Sequence, residues 1–202
     1  MNNKNIIAVI AVVAVLAVLY FVFFQQAEKK ELTFSDGFAQ INSLWEKNNV
    51  NSSYLTGASA EFSVSDLEAL NDDLTAFQSS LSDYKETKDT KALEDFTQIH
   101  LMLVDELVLA LEVKDLKDAV EAENISAVNL CANKSDLKDL GEKTLELNEK
   151  MRSVNTLIYA FNDAYSGFEE KANLGAFIAD ETGFSETEYA NNVVLDELER
   201  LC

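Results

Sequence analysis

The chain contains no proline. Average usage would place about ten in a sequence of this length. Proline removes a backbone donor and breaks helix interiors, so its absence leaves long helices open to the chain. Glycine is scarce, at six, and none of the six sits in a loop that could cradle a phosphate. There is one histidine, His100, and one tryptophan, Trp45. A lone histidine cannot supply the paired Glu-x-x-His ligands of a di-iron bundle, and Thr97 stands three residues before it where the glutamate would be. His100 follows Ile99 on an apolar helix stripe and reads as a packed histidine. Trp45 reads as a packing residue of the core or stalk.

Basic residues are few as well, 16 against 36 acidic ones. All the acidic residues and 15 of the basic ones follow Phe24, which gives that part of the chain a charge of −21. Such a surface disfavours nucleic acid and repels anionic lipid headgroups. It reads as a solvated face, with recognition of a basic partner or loose binding of divalent cations as the sharper reading. The acidic clusters lack the spacing of a calcium-binding loop. Asp72 with Asp73 and Glu169 with Glu170 are adjacent, and neighbours on a helix diverge by about 100°. No catalytic, cofactor-binding or metal-ligating set emerges, so the sequence predicts no enzyme and no cofactor.

One stretch is exceptional. Ile6–Phe24 is nineteen consecutive apolar residues without a charge, amide or glycine. As a helix it would reach roughly 28 Å, close to a bilayer core of about 30 Å. Asn2, Asn3, Lys4 and Asn5 flank one end; Gln25, Gln26, Glu28 and Lys29 flank the other. Tyr20 falls where an amphipathic ring suits the membrane interface. A cleaved signal peptide has a shorter core, of about 7–15 residues, and a small-x-small site, whereas Gln25-Gln26-Ala27 is a poor one. The segment is therefore read as an uncleaved membrane anchor, with Ile6, Val13, Leu19, Tyr20 and Phe24 spanning its length.

Lys4 and the amino group nearly balance Lys29 and Lys30 across the anchor, which leans weakly toward a cytoplasmic domain. Cysteine usage argues the other way. Cys131 and Cys202 are the only cysteines, 71 positions apart and not in a metal-binding pair. Cys131 precedes a long helix of the pattern described below. A helical, antiparallel return from that helix would carry Cys202 back to it. A disulfide between them is predicted, which places the domain outside the reducing cytosol. The triplets at Asn51, Asn124 and Asn133 match glycosylation acceptors and add little, since such triplets are common by chance.

Beyond the anchor the pattern is helical. Phe34, Phe38, Ile41 and Trp45 share one face of a helix expected to continue from Gln25 to Asn48, with Gly37 as a weak point. Asn49–Phe62 reads as a loop. Ser65–Glu68 has the capping-box form. A heptad seam follows in Leu67, Leu70, Leu74, Phe77, Leu81 and Tyr84. Asp89 or Thr90 is expected to cap a third helix, with Leu93, Phe96, Ile99, Leu103, Leu107 and Leu111 on its apolar face. After a break at Asn124–Lys134, the best seam runs from Leu137 to Phe168, with only Thr144 polar among its ten positions. Ser185–Glu188 suggests one more helix start.

The sequence therefore predicts an all-α protein: residues 1–31 as anchor and flanks, then an acidic, elongated up-and-down bundle of four or five helices over 32–202. Residues 32–64 form its stalk helix and loop, and 65–202 its main body. Three heptad registers could instead serve intermolecular coiled coils, but the short connection Lys85–Thr90 favours neighbours within one chain. The expected role is a single-pass, extracytoplasmic structural or interaction component of the cell envelope. It would contact the membrane through residues 6–24 and a protein partner or a second copy through the bundle. A ligand-binding or sensory ectodomain working with a separate signalling partner is the alternative. Such sensors signal through a second span, which this sequence lacks, so the interaction role is preferred.

The anchor is directly testable. Val13→Asp puts a charge at mid-span, costs about 2.5–3.5 kcal/mol on insertion scales, and should shift the protein out of the membrane fraction. A chain beginning at Leu32 should be soluble. Recovery of the unaltered full chain in the soluble fraction without detergent would refute the anchor.

Overall fold

The structure, a computed structural model, describes residues 29–50, 62–123, 125, 129–168 and 172–202. The expected anchor at Ile6–Phe24 lies outside the described residues, as does most of the expected Asn49–Phe62 loop. Among the described residues no helix is long and apolar enough to cross a membrane. Those residues form five α-helices: α1 Phe34–Lys47, α2 Val64–Ser80, α3 Lys88–Ala122, α4 Lys134–Ala164 and α5 Glu181–Leu201. No named strand occurs among them; one isolated bridge pairs Lys30 with Tyr84.

Helix direction follows from which residues meet. α1 and α3 run parallel: Phe34 meets Phe96, and Trp45 meets His100 farther along both. α4 runs back along α3, since Lys143 pairs with Glu112, Lys150 with Asp105, and Tyr165 bonds Asp95. α5 returns along α4 through Arg152–Glu188 and Lys134–Glu199. α2 packs on both α1 and α3 and closes the up-and-down order. The heptad seams thus meet within one chain.

Caps set the boundaries, and several differ from the sequence-based expectation. α1 begins at Phe34, capped by Thr33, and residues 31–33 are not helical, so the helix does not continue from Gln25. The Phe34 amide donates to Asp89 Oδ2 at 2.8 Å. Asp89 therefore ties down α1, while Thr87, paired with Thr90, caps α3. The capping box of α2 is Ser63 with Asp66, two residues before the expected Ser65–Glu68. Phe62 and Leu67, at the two staple positions of that frame, are both buried, which favours it over the later one. α5 starts at Glu181 on an Asp180 cap, and Ser185 lies inside the helix. Its entry is held by Asn155, which is 1% exposed and exchanges two 2.9 Å hydrogen bonds with the backbone of Ala179. α4 ends at Ala164, four residues short of the predicted seam.

The core has α3 at its centre. Leu93, Phe96, Ile99, Leu103 and Leu107 are buried, as are Phe34 and Ile41 of α1, Leu67, Leu70 and Leu74 of α2, and Val154, Ile158 and Phe161 of α4. Gly37 is not a kink. It lies inside α1 where α3 comes closest: a Cβ there would sit 2.9 Å from Leu93 Cγ, with both Leu93 methyls nearer. Leu93 has no exposed surface into which it could move. Cys131 and Cys202 meet at disulfide distance, 1.99 Å between sulfurs and 5.3 Å between Cα atoms, and close the α4–α5 end as the sequence predicts.

Two substitutions test this packing. Gly37→Ala gains about 1 kcal/mol of helix propensity, but overpacking costs about 1–3 kcal/mol, so a net loss of stability is expected. Ile158→Asp buries an unpaired charge at a site with no exposure and should cost more than about 3 kcal/mol. Urea unfolding reads both; a stabilised Gly37→Ala protein would contradict the close α1–α3 approach.

Candidate functional site

α1 and α3 are parallel, in contact near Gly37 and Leu93, and farther along they border a cavity. Phe38, Asn42, Trp45 and Glu46 recur along one face of α1; Phe96 and His100 face them from α3. The third side is Ala172, Asn173 and Phe177, which belong to the turn and short 3-10 helix Leu174–Phe177 after α4. Asn49 and Val50 complete the lining. The cleft, open to solvent on one side, has a volume of about 640 Å³. That lies inside the range of about 300–1,000 Å³ typical of small-molecule sites.

Local sequence explains the turn on the α1 side. Asn49 has φ of 57°. The Val50 amide donates to the Trp45 carbonyl and the Asn49 amide to that of Glu46, both at 3.1 Å. This is a Schellman C-cap with asparagine in the left-handed position and a buried valine behind it. Asn48 secures it, donating from Nδ2 to Leu44 O and Asp73 Oδ2, each at 2.9 Å. Asn173, on the opposite side of the cavity, is also left-handed, with φ of 48°. These are the only two non-glycine residues of positive φ among those described, and both line the cavity.

The walls are aromatic. The ring of His100 stands at steep angles to Phe96, Trp45 and Phe177, with centroids 4.4, 5.5 and 6.1 Å away. Trp45 and His100 are 5% and 4% exposed, and among the described residues neither the Trp45 Nε1 nor either His100 nitrogen has a hydrogen-bond partner. Buried polar atoms in native proteins are nearly always paired, and each orphan costs about 1–3 kcal/mol. Asn42, Glu46, Asn49 and Asn173 are exposed and form the polar rim.

Burial holds the His100 imidazole well below its ordinary 6.5, at about 3. So weak a base is poorly matched to proton abstraction near neutral pH. Elsewhere on α3, burial pushes the Glu106 carboxyl up from 4.5 to about 7, and Glu106 forms no ion pair among the described residues. Tyr165, partly desolvated and donating to Asp95 at 2.6 Å, is raised to about 12. Among the described residues, no three His, Cys, Asp or Glu side chains are grouped to hold a metal ion.

The sequence singled out Trp45 and His100 separately as packing residues. The structure brings them together. The cavity itself was missed, because its walls come from three segments far apart in the chain. The recurrence of Phe38, Asn42, Trp45, Glu46 and Asn49 at helical spacing was the one available signal. The predicted Cys131 and Cys202 pair lies away from the cavity, at the junction of α4 and α5.

No protein-family model matches the chain, and neither a curated protein nor a solved structure is significantly similar to it.

The two buried groups on α3 have opposite effects on stability as pH changes. Unfolded chain protonates His100 below 6.5, but folded chain only near 3, so this group's contribution is lost as pH falls through that window. Folded chain keeps the Glu106 proton up to about 7, so its contribution, full below 4.5, is lost as pH rises. Glu106→Gln should therefore stabilise by on the order of 2 kcal/mol at about pH 8 and change little near pH 4. Urea titrations at both values check this, and an equal effect at both would contradict it.

Proposed function

We propose that this chain is a membrane-tethered helical bundle displayed outside the cytoplasm, where it acts by recognition as an interaction component of the cell envelope. The observation that supports this most is the Cys131–Cys202 pair. Disulfides persist in oxidising compartments and are rare in the reduced cytosol. The bridge spans a separation of 71 residues. Closing so long a loop in the unfolded chain is valued at roughly 4 kcal/mol. The apolar run Ile6–Phe24 supplies the tether, and only nine residues separate Phe24 from the start of α1.

Partner binding draws support from the surface. The part of the chain beyond the tether carries −21, suited to a basic partner. Tyr189, Val193, Val194 and Leu201 of α5 are exposed, Tyr189 by 74%. Among its side chains α5 buries only Phe184 and Leu198. A second reading, a ligand-binding ectodomain, is favoured by one observation: the aromatic cavity with its unpartnered Trp45 and His100 atoms.

Thiol labelling under denaturing conditions tests the main reading. Protein isolated with oxidation blocked should show no free thiol before reduction and two after it. A membrane-impermeant maleimide applied to gently reduced intact cells should reach both sites, since both cysteines are exposed. Two free thiols before reduction, or labelling only after lysis, would overturn the external placement.

A further inference from the structure

The cavity between α1, α3 and the Ala172–Phe177 segment has a chemistry of its own. Its walls are Phe38, Trp45, Phe96, His100 and Phe177, and its rim is three asparagines and Glu46. Among the described residues, no lysine or arginine lines it. Glu46 forms no ion pair among the described residues, although thirteen such contacts occur elsewhere on the surface. The cavity is a cleft open to solvent on one side, with the buried rings of Trp45, Phe96 and His100 at its base and the half-buried rings of Phe38 and Phe177 on its walls, the form of a small-molecule site.

We propose that this cavity binds an organic cation: an amine or quaternary ammonium group carried on a small, largely apolar body. The inference deepens the ligand-binding reading and does not depend on the tether or on the side of the membrane.

Three observations point to that class. Aromatic faces carry negative quadrupoles and attract a desolvated ammonium group, tryptophan most strongly. Among the described residues, the rim offers one carboxylate and three amide side chains, which can balance and orient a positive group but supply no counter-charge to an anionic one. The chain as a whole carries a formal net charge of −20, which favours the approach of cations over anions. His100 does not oppose this, because its burial keeps the ring neutral near physiological pH.

The rim also explains the two left-handed asparagines. Asn49 and Asn173 place short amides at the mouth, where a longer side chain would crowd the entrance. Asparagine tolerates that backbone region far better than other non-glycine residues.

Trp45 makes the test direct. It is the only tryptophan in the chain, so tryptophan emission, excited selectively over the six tyrosines, reports this wall alone. The full chain, in a non-ionic detergent free of choline groups, is titrated with three probes of one shape: choline, its neutral carbon isostere dimethylbutanol, and the matching dimethylbutanoate anion. Choline should bind about tenfold more tightly than the neutral isostere, and the anion should bind least. Glu46→Gln and Glu46→Ala, both on the exposed rim and expected to fold, should weaken choline severalfold and dimethylbutanol far less. Circular dichroism confirms that each variant is folded. An equal response to all three probes would leave a ligand cavity but overturn the cation. No response to any probe would overturn both the cation and the ligand-binding reading. Loss of choline and dimethylbutanol binding together in Glu46→Gln would also contradict a role for its charge.

Discussion

Everything in this bundle leans on the apolar surface of α3 between Leu93 and Leu109. A helix with one partner needs one stripe, but α3 is buried at Leu93, Phe96, Thr97, Ile99, His100, Leu103, Val104 and Leu107, which wraps around more than one side. α1, α2 and α4 all pack there. The hydrophobic effect is non-directional, so shape fixes the partners: Gly37 of α1 lies against Leu93, and the Phe96 ring packs on Phe34 and Phe38 of α1 and on Phe161 of α4. Past Leu109 the burial stops. There the helix is supported by α4 and by exposed pairs such as Lys114–Asp118, each worth little.

The cavity follows from that same arrangement. Gly37 lets α1 and α3 touch at one level, and the large rings of Trp45, Phe96 and His100 border open space at another. The polypeptide then turns at Asn49 and at Asn173, and both turns are left-handed. A packed core and a hollow can therefore share the same two helices. The unpaired Trp45 and His100 nitrogens lie where the two meet, which is where consistency between local chemistry and global fold is expected to fail for a functional reason.

Much of this was legible in the sequence. The absence of proline and the three–four spacing of residues such as Leu67, Leu70 and Leu74 are local facts, and they predict helices whatever those helices pack against. The Cys131–Cys202 pairing was legible because these are the only two cysteines and the return leg is antiparallel, although α5, at 21 residues, runs along only part of the 31-residue α4. Boundaries were less readable. Ser63 and Ser65 both precede a carboxylate by three residues, and only the burial of Phe62 separates the two frames. Asp89 looked like a cap for its own helix and instead binds the Phe34 amide, 55 positions away. Gly37 looked like a flaw in a helix because its neighbour Leu93 is invisible in one dimension. The cavity was hidden for the same reason, since its walls converge only after folding.

Residue-resolved hydrogen exchange on the full chain tests the central place of α3 most directly. If α3 is the element on which the others depend, its amides between Leu93 and Leu109 should be the last to exchange, opening only with global unfolding. Those of α5, which buries few side chains, should exchange earlier. Exchange from the middle of α3 as fast as from α5, with the slowest amides on any other helix, would contradict the account.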